Sequence, residues 1–276
     1  MPSPVEDLLG YMLTGICLAC ILFGVTTVQT FIYTQTYPED PVLLKIMVIA
    51  IWAMQTLQTG FCISFLYMYT VRHFGDMTFL GGIYWTGGVT IYLGTIIQIL
   101  VLGFYIKRVW MLSNRSKILA APLVFLVFCR FTTGLATASY SYVYPTWIIF
   151  KAAKGPLVAI VIGQGSSALM DVSVASILIY YLRKGQRGGW KNSENMASFL
   201  IIYIVNTGAL TSIFSFVIVI TYGVQNNLLF MALLEMQYKL YANAFLGSLN
   251  ARQHIRTNFK SEIYHDNLGC IAITSV

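Results

Sequence analysis

Between Glu194 and Glu235 the chain runs for 40 residues without a single Asp, Glu, Lys or Arg. Three more such gaps precede it: 31 residues from Asp7 to Glu39, 26 from Lys45 to Arg72, and 30 from Asp76 to Lys107. A stretch of about 20 predominantly apolar residues spans the hydrocarbon core of a bilayer as a helix, so each gap is long enough for a crossing. Charged residues make up only 10% of the 276 residues, against roughly 25% in soluble domains. A globule of this size could not cover its surface with so few charges, which excludes a soluble enzyme, a disordered chain and a disulfide-stapled module. The chain reads as a multi-pass membrane protein.

The charge gaps predict three spans, over residues 9–33, 46–69 and 83–106. A fourth, 118–139, carries Arg130, and a fifth, 157–182, carries Asp171. The 40-residue gap is too long for one crossing, and the polar run Gly223-Val224-Gln225-Asn226-Asn227 divides it. A sixth span over 197–222 and a seventh over 228–249 follow, the last running through Glu235 and Lys239; a re-entrant or surface segment is the alternative for the seventh. Only helices and closed barrels satisfy their backbone in lipid, and the apolar runs lack the alternation of a barrel wall. The predicted fold is therefore all-α, a single seven-helix transmembrane bundle over residues 1–252 with a tail over 253–276. Aromatic residues such as Tyr33, Tyr69, Trp85, Tyr105, Trp110 and Tyr180 mark the expected interfaces.

Lys and Arg divide unequally between the two sides. Twelve, including Lys107, Arg108, Arg115, Lys117, Arg183, Lys184, Arg252 and Arg256, fall on one side, and Arg72, Lys151 and Lys154 on the other. By the positive-inside rule the basic side is cytosolic, which places the N-terminus outside, as a retained signal-anchor helix, and the C-terminal tail inside. The formal net charge of +7 is mostly this topological signal and speaks for anionic lipid headgroups, not nucleic acid. The sequon Asn114-Arg115-Ser116 falls in a loop expected to be cytosolic and hence unglycosylated. Cys17, Cys20, Cys62 and Cys129 lie within spans, so no extracellular disulfide is expected.

Four charges lie inside the predicted spans: Arg130, Asp171, Glu235 and Lys239. Each costs about 2.5–3.5 kcal/mol at mid-bilayer on insertion scales, so such residues mark functional positions by default. At about 1.5 Å per residue, Arg130, Asp171 and Lys239 fall near the midplane. Glu235 and Lys239 stand at i and i+4, the order that favours a same-face pair. Arg130 and Asp171, on sequential helices, form a second candidate pair. Gln55, Gln58, Gln98, Gln164, Asn206 and Asn243 can hydrogen-bond between helices. The set reads either as a structural polar lock or as a ligand or ion site comprising Arg130, Asp171, Glu235, Lys239, Asn206 and Asn243. Glycines thin the third helix at Gly87, Gly88 and Gly94 and the fifth at Gly163 and Gly165, for close backbone approach or a loosened cavity wall. The aromatic stretch from Tyr140 to Phe150 reads as an interfacial girdle or a lid over the bundle mouth.

Catalytic chemistry has no signature. His73, His254 and His265 lie in loops or the tail, so no metal site is expected, and no P-loop or nucleophile elbow is present. Lys239 sits where a retinal protein would carry its Schiff base, but the third span holds no carboxylate to serve as acceptor, and no cofactor is expected. The chain ends in Thr274-Ser275-Val276, a loose match to a PDZ ligand.

The second half resembles a group of uncharacterised fungal, mainly basidiomycete, seven-pass membrane proteins defined by a domain of unknown function. The resemblance rests on Asp171-Val172-Ser173-Val174, Tyr180-Tyr181-Leu182-Arg183, the run from Ile202 through Asn206, Gly208 and Thr211 to Ser212, and the run from Lys239 through Tyr241, Asn243 and Asn250 to Arg252. It covers residues 171–252, and Gln29, Tyr33 and Tyr37-Pro38-Glu39-Asp40 extend it upstream. Arg187-Gly188-Gly189-Trp190 and Ser193-Glu194 depart from the group's pattern. The resemblance implies fold and membrane location and no activity. Asp171 and Lys239 match the pattern and form a candidate shared pair, whereas Glu235 does not. The expectation is a non-enzymatic receptor-like or sensor protein that binds a small apolar or amphipathic ligand within the bundle and engages lipids and a cytosolic partner. A small-solute or proton-coupled transporter or channel is the alternative.

Overall fold

A computed structural model of the chain describes the backbone of residues 4–187, 194–224 and 227–273, and the side chains of residues 9–181, 183–184, 206–224 and 227–252. The departure around residues 188–193, the side chains of His254, His265 and Cys270, and the terminal 274–276 lie outside the described residues.

Among the described residues nine α-helices follow one another: α1 (Pro4–Thr36), α2 (Val42–Tyr67), α3 (Met77–Gly81), α4 (Trp85–Leu112), α5 (Lys117–Val143), α6 (Trp147–Ala152), α7 (Lys154–Arg187), α8 (Glu194–Val224) and α9 (Leu229–Ile273). Seven are long, and among the described residues six stretches are long and apolar enough to cross a membrane: Leu9–Thr36, Val42–Arg72, Trp85–Leu112, Lys117–Val143, Lys154–Tyr181 and Asn206–Val224. Glu235, Lys239 and the polar residues that follow set α9 apart from these six. The helices outrun the predicted spans at several ends, since the backbone ladder continues past the apolar stretch into the charged residues that flank it.

Sequential long helices pack side by side, and α9 closes the ring against α1, while α4 also reaches across to α7 and α9. The α1–α9 contact is parallel. Its close approaches climb together along both helices, from Gly15 against Ala232, through Asn243 Nδ2 donating to Leu22 O (2.9 Å), to Asn250 Nδ2 donating to Gln29 O (2.8 Å). A Cβ on Gly15 would stand 2.4 Å from that of Ala232, so the missing side chain is what lets the two backbones meet.

The sequence did not foretell two short helices at one end of the bundle. Asp76 caps α3, its Oδ1 accepting from the Thr78 and Phe79 amides, and Thr146 caps α6 through the Ile149 amide. The two connections are stitched together where Ile83 N donates to Pro145 O (2.9 Å) beside a single β-bridge between Gly82 and Thr146. A π-helical turn over Met68–Arg72 ends α2, and the Tyr69 hydroxyl inside it donates to Gly82 O (2.5 Å) while accepting from Tyr84 N. In the aromatic stretch Trp147 and Phe150 are buried, whereas Tyr142 is exposed.

Packing divides into two apolar clusters along the bundle. One gathers Leu9, Met12, Phe65, Tyr69, Trp147 and Phe230 towards the stitched end, and the other Tyr33, Val48, Val101, Val109, Leu178 and Leu249 towards the opposite end. Between them lies a layer of buried polar side chains drawn from α2, α4, α5, α7, α8 and α9.

Candidate functional site

The polar layer resolves into three nodes, the first of which begins with polar residues at helical spacing on an otherwise apolar helix. On α2, Gln55, Gln58, Thr59 and Cys62 follow one another at i, i+3, i+4 and i+7, one face of a helix, and that face meets Glu235 and Lys239 of α9. Lys239 Nζ donates to Thr59 Oγ1 (2.8 Å), Gln58 Oε1 (3.2 Å) and Gln55 O (3.3 Å), so its three donors meet three acceptors. The ammonium also stands 5.5 Å from the centre of the Phe23 ring on α1. Gln58 turns its other end to Glu235, Nε2 donating to Oε2 (3.0 Å), and the Cys62 thiol donates to the same oxygen (3.2 Å).

Glu235 and Lys239 thus share a face, as their spacing predicts, but they are not a direct ion pair. The Gln58 amide sits between them, presenting its NH2 to the carboxylate and its oxygen to the ammonium. A neutral bridge of this kind gives each charge a partner in a region where an unpaired one is costly, while Glu235 Oε1 stays buried without a hydrogen bond.

The second node joins α7, α8 and α9. Asp171 is buried, and its Oδ2 accepts from the Thr211 hydroxyl (2.6 Å) and the Tyr241 hydroxyl (2.7 Å). Gln237 ties α9 to α8 next to it, donating to Ser215 Oγ (2.8 Å). A cleft lined by Asp171, Thr207, Gly208, Thr211, Tyr241 and Leu102 opens beside the carboxylate, with a cavity of about 20 Å³, room for about one water molecule.

The third node is Arg130 on α5. Its Nε donates to Gln98 Oε1 on α4 (2.9 Å), and Gln98 Nε2 donates in turn to Ser167 Oγ on α7 (3.1 Å).

The expected pairing of Arg130 with Asp171 is therefore corrected, as is that of Asp171 with Lys239. Among the described residues, ion pairs join only His73 to Asp76 and Asp40 to Arg252, both at bundle ends. The rotation of α5 aims Arg130 at α4 and Gly163, and Lys239 faces α2 rather than α7. Asn243 lies outside the nodes, pinning α9 to α1 through Leu22 O and the Thr26 hydroxyl. Asn206 is exposed.

Sequence reasoning passed over several partners. Thr59 and Cys62 stand at the helical spacing just described, a signal that was there to be found, and Ser167 follows Gln164 by three residues on α7. It also passed over a clamp at the end of the bundle opposite the stitched loops. There Arg252 of α9 holds Asp40, Nη2 to Oδ2 at 2.6 Å and Nη1 to Oδ1 at 3.4 Å, with Tyr33 donating to the same carboxylate (2.9 Å) and the guanidinium 4.4 Å from the centre of the Tyr37 ring. Burial alone would raise the Asp40 carboxyl; hydrogen bonds from Arg252 and Tyr33 and the charges of Arg252 and Lys45 outweigh it and hold the group below its ordinary range.

No group of three or more His, Cys, Asp or Glu side chains able to hold a metal ion occurs among the described residues.

A family of unknown function (DUF6534) matches residues 167–254. The matched region takes in Asp171, Thr211, Lys239, Tyr241 and Arg252, so it encloses the second node entire and the α9 half of the first, while Arg130 and the α2 stripe lie outside it. No curated protein and no solved structure matches the chain.

Proposed function

We propose that the chain is a non-enzymatic, receptor-like or sensor membrane protein of seven spans, N-terminus outside and C-terminus in the cytosol, which takes a small amphipathic ligand at the Asp171 cleft. The parallel run of α9 along α1 supports the seventh span. From Ala232 to Arg252 the rise is about 30 Å at about 1.5 Å per residue, the thickness of the hydrocarbon core. Two helices that run the same way between the same two ends are separated by an even number of reversals, as the first and seventh spans are by six. Lys45, Arg252 and the other basic residues gathered at one end support the cytosolic assignment by the positive-inside rule. The resemblance to fungal seven-pass proteins agrees with this count.

The observation that carries the ligand reading is the setting of Asp171. Both hydroxyls that hold it, from Thr211 and Tyr241, bind the same oxygen, which leaves the other to meet a ligand's donor. The walls beside it, Leu102, Val174 and Ala244, are apolar. A molecule with a hydroxyl or amine head and an apolar tail fits that chemistry. With room for about one water in the closed cleft, a larger ligand enters only as α8 parts from α4 and α9, and that parting is the conformational signal a receptor would send to its cytosolic face. A cytosolic partner and the surrounding lipid complete the reading.

Flux decides between this reading and a proton-coupled transporter or channel. In proteoliposomes carrying an internal pH dye and offered medium-chain alcohols and amines, the receptor reading expects no proton or solute flux above that of protein-free vesicles. Flux that vanishes in Asp171→Asn would sink it in favour of transport.

A further inference from the structure

Arg130 poses a problem that the Asp171 cleft does not solve. Arg130 is only 4% exposed, yet the side chains it hydrogen-bonds are neutral, the Gln98 amide (2.9 Å) and the Tyr238 hydroxyl. The carboxylates of the polar layer are engaged elsewhere: Asp171 by Thr211 and Tyr241, Glu235 by Gln58 and Cys62. A buried charge without a counter-charge is among the costliest arrangements a fold can hold.

The surroundings are shaped for this side chain. A Cβ on Gly134 would stand 3.1 Å from Arg130 Nη1, and one on Gly163 would stand 3.3 Å from it, so glycines on two helices open the space the guanidinium fills. Beyond it lies a cavity of about 10 Å³ lined by Arg130, Gln164, Thr137, Ile91, Ile160 and Leu234 among others. Two buried polar atoms of that lining have no hydrogen-bond partner, Arg130 Nη2 and Gln164 Oε1.

We infer that this cavity is a binding site for a small inorganic monoanion of the halide class, held by Arg130 and Gln164 between α4, α5, α7 and α9. A water molecule would satisfy Nη2 as a donor but leave the positive charge uncompensated in a low-dielectric setting; an anion does both. The room, about 10 Å³ or roughly one water-sized sphere, is too small for polyatomic oxyanions, and a monatomic halide, somewhat larger than water, seats there as the Gln164 side chain swings to meet it. Gln164 meets the anion with its NH2 after a half-turn of the amide, whose two ends have the same shape. The site is separate from the Asp171 cleft and stands whether or not that cleft takes a ligand.

The test is thermal unfolding of the full chain in nanodiscs of neutral lipid, at constant ionic strength, with sodium chloride or bromide titrated against sodium gluconate, whose anion is too large for the cavity. Chloride and bromide are expected to raise the midpoint with the logarithm of their concentration once above Kd, by about 5 °C at a hundredfold excess over Kd, and the rise should vanish in Arg130→Gln. If that variant does not fold, Thr137→Ile serves in its place: it pushes carbon into the cavity, leaves the guanidinium alone, and should likewise abolish the rise. A midpoint indifferent to the anion in the native chain overturns the site and leaves water as its occupant. So does a halide effect of equal size in Thr137→Ile, which would place the anion elsewhere.

Discussion

Lys239 and Asp171 are both buried, both ionisable and both packed into the seam around α9, yet they are held in opposite ways. Lys239 spends all three of its donors on one face of a single neighbour, α2, and that face is continuous with the Gln58 amide that also holds Glu235. Asp171 is held by two hydroxyls from two different helices, both on one oxygen, beside a cavity of about 20 Å³. Hydroxyls rotate and can donate to another acceptor, and a water-sized space gives them one to find. A charge whose every donor is matched is a lock; a charge with a free oxygen and space beside it can change partners. Intramembrane charge alone does not separate the two, although both cost alike to insert.

The largest effect that would break this distinction comes from Lys239→Met. It leaves the Glu235 carboxylate buried with no cation near it and should destabilise the bundle by about 3–5 kcal/mol. In a double-mutant cycle read by unfolding in denaturing detergent, Glu235→Gln with Lys239→Met should cost well under the sum of the two single changes, because the pair is removed together. Additive costs would mean that Gln58 does not couple the two charges and that the first node is not one unit.

Asp171→Asn should cost less, about 1 kcal/mol in the same assay, since asparagine keeps an acceptor oxygen for Thr211 and Tyr241. The response of the cleft to an amphiphile bearing a hydroxyl or amine head, followed by fluorescence of a probe placed on α8, should be lost altogether. A cost equal to that of Lys239→Met, with the response intact, would make Asp171 a lock as well and erase the contrast.

How far all this could be read in advance differs from residue to residue. The charge gaps located the long helices because lipid excludes unpaired charge whatever the partners, so gap length reports crossing length directly. They were silent on α3 and α6, whose five and six residues are too few to show a period. They also pointed to Arg130 and Asp171 as partners, since sequential helices and opposite signs suggest a pair. What decides the matter is how each helix is turned about its axis, and Gly134 and Gly163, which set that for Arg130, read only as thin places in a helix. Gln58 was legible as a residue that hydrogen-bonds between helices, but its service to both charges became visible only with α2 and α9 side by side. The clamp illustrates a different failure. Tyr37-Pro38-Glu39-Asp40 and Arg252 were both noticed, one as part of a resemblance and one as a cytosolic charge, and nothing in a single chain says that segments 212 residues apart in sequence touch.

That clamp supplies the smallest and sharpest test of the comparison, because it is an ion pair on the same helix as Lys239 but partly open to water. The side chains of Asp40 and Arg252 are 15% and 32% exposed, and an interaction at such a position is worth about 1 kcal/mol or less. The Asp40 carboxyl is held below its ordinary range, which in an unfolded chain lies near 3.9. A carboxyl lowered in the folded state contributes stability that is fully present above the unfolded value and is lost as pH falls through the folded one. The native chain should therefore lose a small increment of stability below about pH 4, and Asp40→Asn, titrated beside it, should lose less over the same interval while starting about 1 kcal/mol lower at neutral pH. The same pair should weaken with added salt, whereas the Lys239 node, shielded from solvent ions, should not. If salt moves both variants' stabilities by the same amount, the clamp is no more open than the interior, and the contrast between wet and dry charges along α9 fails at the place where it is easiest to see.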